Sequence, residues 1–222
     1  MALTKFNFNS FDVTTAASKG LGFNASANGF STIDPGAMTH IKTLTASSSG
    51  TLSFVDGSSD VVLDNTYPIY LFKFINIHPA TDQVNFQFNM SADTGSNYNV
   101  TKTTTFFESF HREDDGGTSL GYMAAKDLAQ GTGFQDLIGI LGNNNDDNCN
   151  GELYLFNPSS TTFVKNFISR LSGNYRSGLG AEIDHYAAGY GNTTSAVDAI
   201  QFKMSSGNID SGTIKLYGIK DS

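Results

Sequence analysis

Apolar and polar residues alternate with a period of two over many short stretches of this chain, and clusters of glycine, serine, asparagine and aspartate separate the stretches. Val84, Phe86, Phe88 and Met90 alternate with Asn85, Gln87 and Asn89. That pattern predicts a strand with one dry face and one wet face. The same reading predicts strands over residues 5–11, 39–45, 51–55, 61–63, 69–77, 84–90, 103–110, 137–141, 151–156, 162–169, 197–204 and 213–219. Turn chemistry lies between them, as in Asp56-Gly57, Asp93-Thr94-Gly95 and Ser206-Gly207-Asn208. Only residues 122–129 read as a helix. About a dozen short strands with this punctuation predict an all-β fold, an antiparallel β-sandwich or jelly roll with at most one short helix.

The stretch 69–77 is apolar on both sides. Ile69, Leu71, Ile75 and Ile77 share one face, while Tyr70, Phe72 and Phe74 share the other. A strand of that kind must be covered twice, so Tyr70, Phe72 and Phe74 are candidates for an assembly interface, with a covering loop as the alternative. In the last strand pair, Ile200, Phe202 and Met204 are expected to face inward, opposite either Ile214 and Leu216 or Tyr217 and Ile219. Residues 1–38 are rich in Ala, Gly, Ser and Asn and read as an arm, or as an edge strand plus loop, ahead of a sandwich domain over 39–222.

Composition narrows the picture. Gly, Ser, Thr and Asn fill 89 of 222 positions and Glu appears four times, which disfavours a helical bundle. Eighteen Phe and nine Tyr supply the apolar surface that a disordered chain lacks. A net charge of −8 repels a phosphate backbone, so no nucleic-acid partner is expected. No apolar run is long enough for membrane insertion. The start of the chain shows no apolar core of a signal peptide, and the single cysteine, Cys149, fits folding in a reducing cytoplasm.

Chemical motifs are sparse. Gly117-Thr118-Ser119-Leu120-Gly121 matches a nucleophile elbow in letters, but a solvated loop precedes it where a buried strand is needed. Gly20-Leu21-Gly22-Phe23-Asn24-Ala25 lacks the strand that a dinucleotide fingerprint requires. The segment from Asp146 onward resembles the opening of a calcium loop, with Asp146, Asn148, Asn150 and Glu152 as candidate oxygen ligands. Its twelfth position is Asn157 rather than a bidentate Glu, so an EF-hand is excluded and a polar hairpin tip is the alternative. No other cofactor is indicated. Asp184-His185 is the nearest thing to a base with an orienting acid. Tyr175, Tyr186 and Tyr190, in a Gly-rich region, are candidate platforms for a ligand such as a sugar.

Four segments resemble a recurring module of structural proteins in tailed, especially marine, bacteriophages. They are Ser47-Ser48-Ser49-Gly50-Thr51-Leu52-Ser53-Phe54, the run from Tyr70 to Pro79, the run from Gly151 to Ser160, and the closing run from Met204 to Ile219. The resemblance spans residues 39–220 and leaves the amino-terminal stretch unmatched. It implies a non-enzymatic virion protein with a β-sandwich fold, made in the host cytoplasm and exposed on the particle as a tail-fibre, baseplate-type or capsid-decoration component. It further implies a homo-oligomer, a trimer by expectation, docking to other virion proteins. A carbohydrate- or receptor-binding module meeting a host surface glycan is the first alternative, and a polysaccharide-degrading enzyme the second.

Overall fold

A computed structural model describes residues 20–33, 36–175 and 180–220, apart from the side chains of Ile33 and Tyr175. The strand expected over 5–11 lies outside the described residues. The chain divides into two units between Thr39 and His40. In the first unit, β1 (Gly20–Phe23) and β2 (Phe30–Ile33) pair antiparallel from Gly20↔Ile33 to Phe23↔Phe30. The turn between them is closed by Asn24 N–H donating to Gly29 C=O, and the Phe23 and Phe30 rings stack at 5.2 Å.

The second unit is an all-β sandwich of antiparallel strands. In chain order they are β3 (Met38–Thr45), β4 (Leu52–Val55), β5 (Ile69–Pro79), β6 (Val84–Ser91), β7 (Lys102–Arg112), β8 (Thr118–Tyr122), β9 (Gln135–Leu141), β10 (Cys149–Phe156), β11 (Lys165–Tyr175), β12 (Ala181–Gly191), β13 (Ala199–Met204) and β14 (Ile209–Ile219). Eight of them form one sheet in the order β3-β14-β5-β10-β11-β12-β7-β8, and four form the other in the order β4-β13-β6-β9.

The space between the sheets is filled by aromatic rings. Phe202 of β13 sits at their centre, with the rings of Phe72 and Phe74 from β5 at 5.4 and 5.2 Å and that of Phe86 from β6 at 5.9 Å. Phe54 and Phe88 complete the ring around it at 6.3 and 6.5 Å. Tilted and edge-to-face arrangements dominate, as the ring quadrupole favours.

This core reverses the expected orientation of β5. Tyr70, Phe72 and Phe74 are 0–2% exposed and point between the sheets, so they are closed to any partner. The large rings fill the interlayer gap, while Leu71 is buried on the opposite face, level with Tyr154 of β10 and Tyr217 of β14. Strict alternation fails at Asn76, whose φ of +51° accompanies a register shift against β14. Ile75 is thereby left outward and Ile77 turned into the core.

Four further expectations change. The segment after Tyr122 is not helical, because β7 captures its backbone: Met123 N–H donates to Phe106 C=O, and Thr104 N–H donates to Leu128 C=O. Residues 61–63 are not a strand, although Val61 and Leu63 are buried; Leu63 N–H is held by Asp56 Oδ1 at 2.8 Å. Strands β13 and β14 lie in different sheets rather than pairing, with Ile200, Phe202 and Met204 facing Ile214 and Leu216 across the core. Strand β12, eleven residues long, occupies much of the Gly-rich region in which the alternation pattern predicts no strand.

Candidate functional site

The outer face of the eight-stranded sheet carries the exposed chemistry. Cross-strand register sets its rows. Arg170 of β11 is level with Tyr186 of β12, which is level with Phe107 of β7 and then Tyr122 of β8. The Phe107 and Tyr186 rings are parallel to within 7° at 4.6 Å, and the Arg170 guanidinium lies 5.0 Å from the Tyr186 centroid. The two neighbours come from strands on either side of β12, so both faces of the Tyr186 ring are covered. Arg170 also forks onto Asp184, which holds its guanidinium above the usual range, and Tyr186 Oη donates to the same carboxylate at 3.1 Å. The same row continues through Glu152 of β10 to Lys73 of β5, where Lys73 Nζ donates to Glu152 Oε2 at 2.5 Å.

The opposite end of the same face is different. Asn166 of β11 is level with Tyr190 of β12 and Thr103 of β7. Leu155 opposes Phe167, which brings Phe156 of β10 level with Asn166. Phe156 and Tyr190 thus bracket a single small position two strand spacings wide, about 10 Å between backbones. They line an open groove of about 470 Å³ whose floor includes Thr103, Thr105 and Ala188. None of its lining side chains is charged at neutral pH. Gly189 is required in its floor: a Cβ there would lie 2.5 Å from Thr103 O.

The candidate platform tyrosines therefore separate. Tyr186 is sandwiched and the half-buried Tyr190 lines the open groove, whereas the side chain of Tyr175 lies outside the described residues. Tyr186 and Tyr190 share one face because they lie four positions apart, an even spacing, on one strand.

The candidate calcium ligands do not converge. Glu152 is turned to Lys73 on the outer face. Asn148 Oδ1 accepts from Asn150 Nδ2 at 2.6 Å, and Asn150 Oδ1 accepts from Asn76 N–H at 2.8 Å. Asp146 borders a separate polar hollow of about 410 Å³ with His78 and Asp210. Among the described residues no three His, Cys, Asp or Glu side chains form a metal-holding group. Cys149 is fully buried, and burial pushes its thiol well above the usual range.

His185 does have an acid partner, but not Asp184. Neighbouring residues on a strand point to opposite faces. Asp184 faces Arg170, while His185 points inward and meets Glu108 of β7 at 2.5 Å from its Nε2. Gly139 N–H donates to Nδ1 at 3.1 Å, so the ring is neutral with its proton on Nε2. Burial lowers the pKa of His185, with Glu108 opposing that shift. At 1% exposure, with both nitrogens occupied, this dyad ties the sheets together rather than facing solvent. Ser119 lies in mid-strand in β8, paired with Phe110, and not in a sharp turn.

Comparison with family models, curated proteins and solved structures found no match.

Proposed function

We propose that the protein is a non-enzymatic structural component of a bacteriophage virion exterior, of the tail-appendage or capsid-decoration type, that works by assembling with further copies of itself and docking to other virion proteins. The observation that carries this reading is the free edge of the eight-stranded sheet. All five residues of β8 are exposed, and Leu120, Tyr122 and the adjacent Phe107 are 74%, 56% and 40% exposed. An edge strand with unpaired backbone groups and apolar side chains is a template for another chain unless something covers it. The resemblance of residues 39–220 to phage structural modules points the same way, as does an acidic balance that keeps free subunits apart before assembly.

Light scattering on the purified chain tests the reading. A trimer is expected, and the double substitution Leu120→Asp, Tyr122→Asp should release folded monomers. A wild-type protein that stays monomeric at high micromolar concentration overturns it.

A further inference from the structure

We infer that the slot between Phe156 and Tyr190 is a binding subsite for an uncharged sugar ring, such as a unit of a neutral surface glycan. This goes beyond the assembly reading and occupies the other end of the sheet face from β8.

Three features choose the ligand. The first is open ring surface. Tyr186 is filled on both sides by Phe107 and Arg170, but the neighbours of Tyr190 in its row, Asn166 and Thr103, carry neither a ring nor a cation, and the half-buried Tyr190 lines the open groove. Phe156 stands on the far side of Asn166. A saturated six-membered ring between two aromatic walls needs contacts of about 3.5–4.0 Å on each side. Walls rising from backbones about 10 Å apart leave that room.

The second feature is unused hydrogen-bonding capacity between the walls. Among the described residues the exposed Asn166 amide and the Tyr190 hydroxyl have no partner. The amide offers two donors and an acceptor, which suits vicinal hydroxyls that both give and take hydrogen bonds. An aliphatic partner or a dry protein patch would bury the amide and the phenol unpaired, which is unfavourable.

The third is charge. No charged side chain lines the groove. The nearest paired charges along these strands, Arg170 of β11 and Asp184 of β12, neutralise each other, and Arg170 stands four positions from Asn166, about 13 Å along β11. A sulfated, sialylated or phosphorylated ligand would find no counter-charge.

The test uses the full chain and neutral hexaoses of glucose, galactose, mannose and N-acetylglucosamine, followed by ligand-observed NMR and titration. At least one should bind with a dissociation constant on the order of millimolar, as a single open subsite allows. Tyr190→Ala and Asn166→Ala should each weaken binding roughly tenfold or more, the share of one aromatic or polar contact. Tyr186→Ala should leave it unchanged, and melting curves should show all of these alanine variants folded. Silence from every neutral hexaose overturns the inference. So does binding that survives both Tyr190→Ala and Asn166→Ala, or preference for a heparin-derived hexasaccharide. Oligomeric state does not enter these readouts, so the assembly reading stands or falls separately.

Discussion

Glu108 and His185 meet across adjacent strands of the large sheet, and through Gly139 the histidine reaches β9 of the small one. Because Nδ1 accepts a backbone N–H, protonating the ring would force two hydrogen atoms together. Glu108, Lys126 and Asp136 are the charged groups that face it. With a folded pKa below the unfolded value, the unfolded chain binds the proton first, so stability falls as pH drops below about 6.5 toward the folded pKa. Urea midpoints across that range should fall in the wild type. Glu108→Ala, which leaves Nε2–H unpaired, should cost about 1–3 kcal/mol at neutral pH. An unchanged midpoint in that variant would sink the account.

Lys102 is fully buried, donating to Asn89 Oδ1 at 2.5 Å and Val100 O at 2.8 Å, and burial lowers its pKa to about 7. Between about pH 7 and the unfolded value near 10.4, only the unfolded chain holds the proton, so stability rises with pH through that window. Urea midpoints measured across it should climb by the equivalent of a few kcal/mol, since each pH step of one within it contributes about 1.4 kcal/mol. Lys102→Met should flatten the rise. Asn89 Oδ1 would still accept Met90 N–H at 2.9 Å, so the variant should fold.

Ile140 carries a φ of +58° in β9, where the register against β6 shifts. A β-branched side chain in this region is strained by about 1–3 kcal/mol. Asparagine tolerates the conformation, so Ile140→Asn should raise the unfolding free energy by roughly 0.5–1 kcal/mol even after losing some apolar contact. A lower melting temperature would count against strain at this bulge.

Phe202 touches five other rings at the centre of the core. Phe202→Ala should destabilise by about 3–5 kcal/mol, read from denaturant midpoints, because the surrounding rings cannot all collapse onto the void.

Calcium should leave the melting temperature unchanged, as should a chelator. Lys73 occupies Glu152, and the side-chain oxygens of Asn148 and Asn150 already accept hydrogen bonds. A calcium-dependent rise would show that this network opens for the ion.

Strand positions followed from the alternation of Val84 to Met90 and similar runs, because a half-buried strand writes its period directly into the residues. Orientation was harder to read where both parities are apolar. Whether Phe72 or Leu71 faces the core depends on what β10, β13 and β14 contribute, and those strands are distant in sequence. Strand β12 gives a weak signal because Ala187, Ala188 and Gly189 interrupt its alternation, and Gly189 is small because β7 comes too close there for a Cβ. The partner of His185 could not be guessed from Asp184, since adjacency along a strand places two side chains on opposite faces. Of the three platform tyrosines, Tyr190 lines the groove, but the covering of Tyr186 by Phe107 and Arg170 arises only from register. Asn166 and Phe156 had no local signal that set them apart.

The order β3-β14-β5 also bears on how the molecule is made. Strand β3 leaves the growing chain early, yet its one hydrogen-bonded neighbour in the sheet, β14, is synthesised after every strand from β4 to β13. Until then that flank stays ragged, and such long-range closure is slow. A ribosome stalled before Ile209 would hold a protein whose large sheet cannot be finished, so vectorial synthesis itself delays completion of this layer until the final strand emerges.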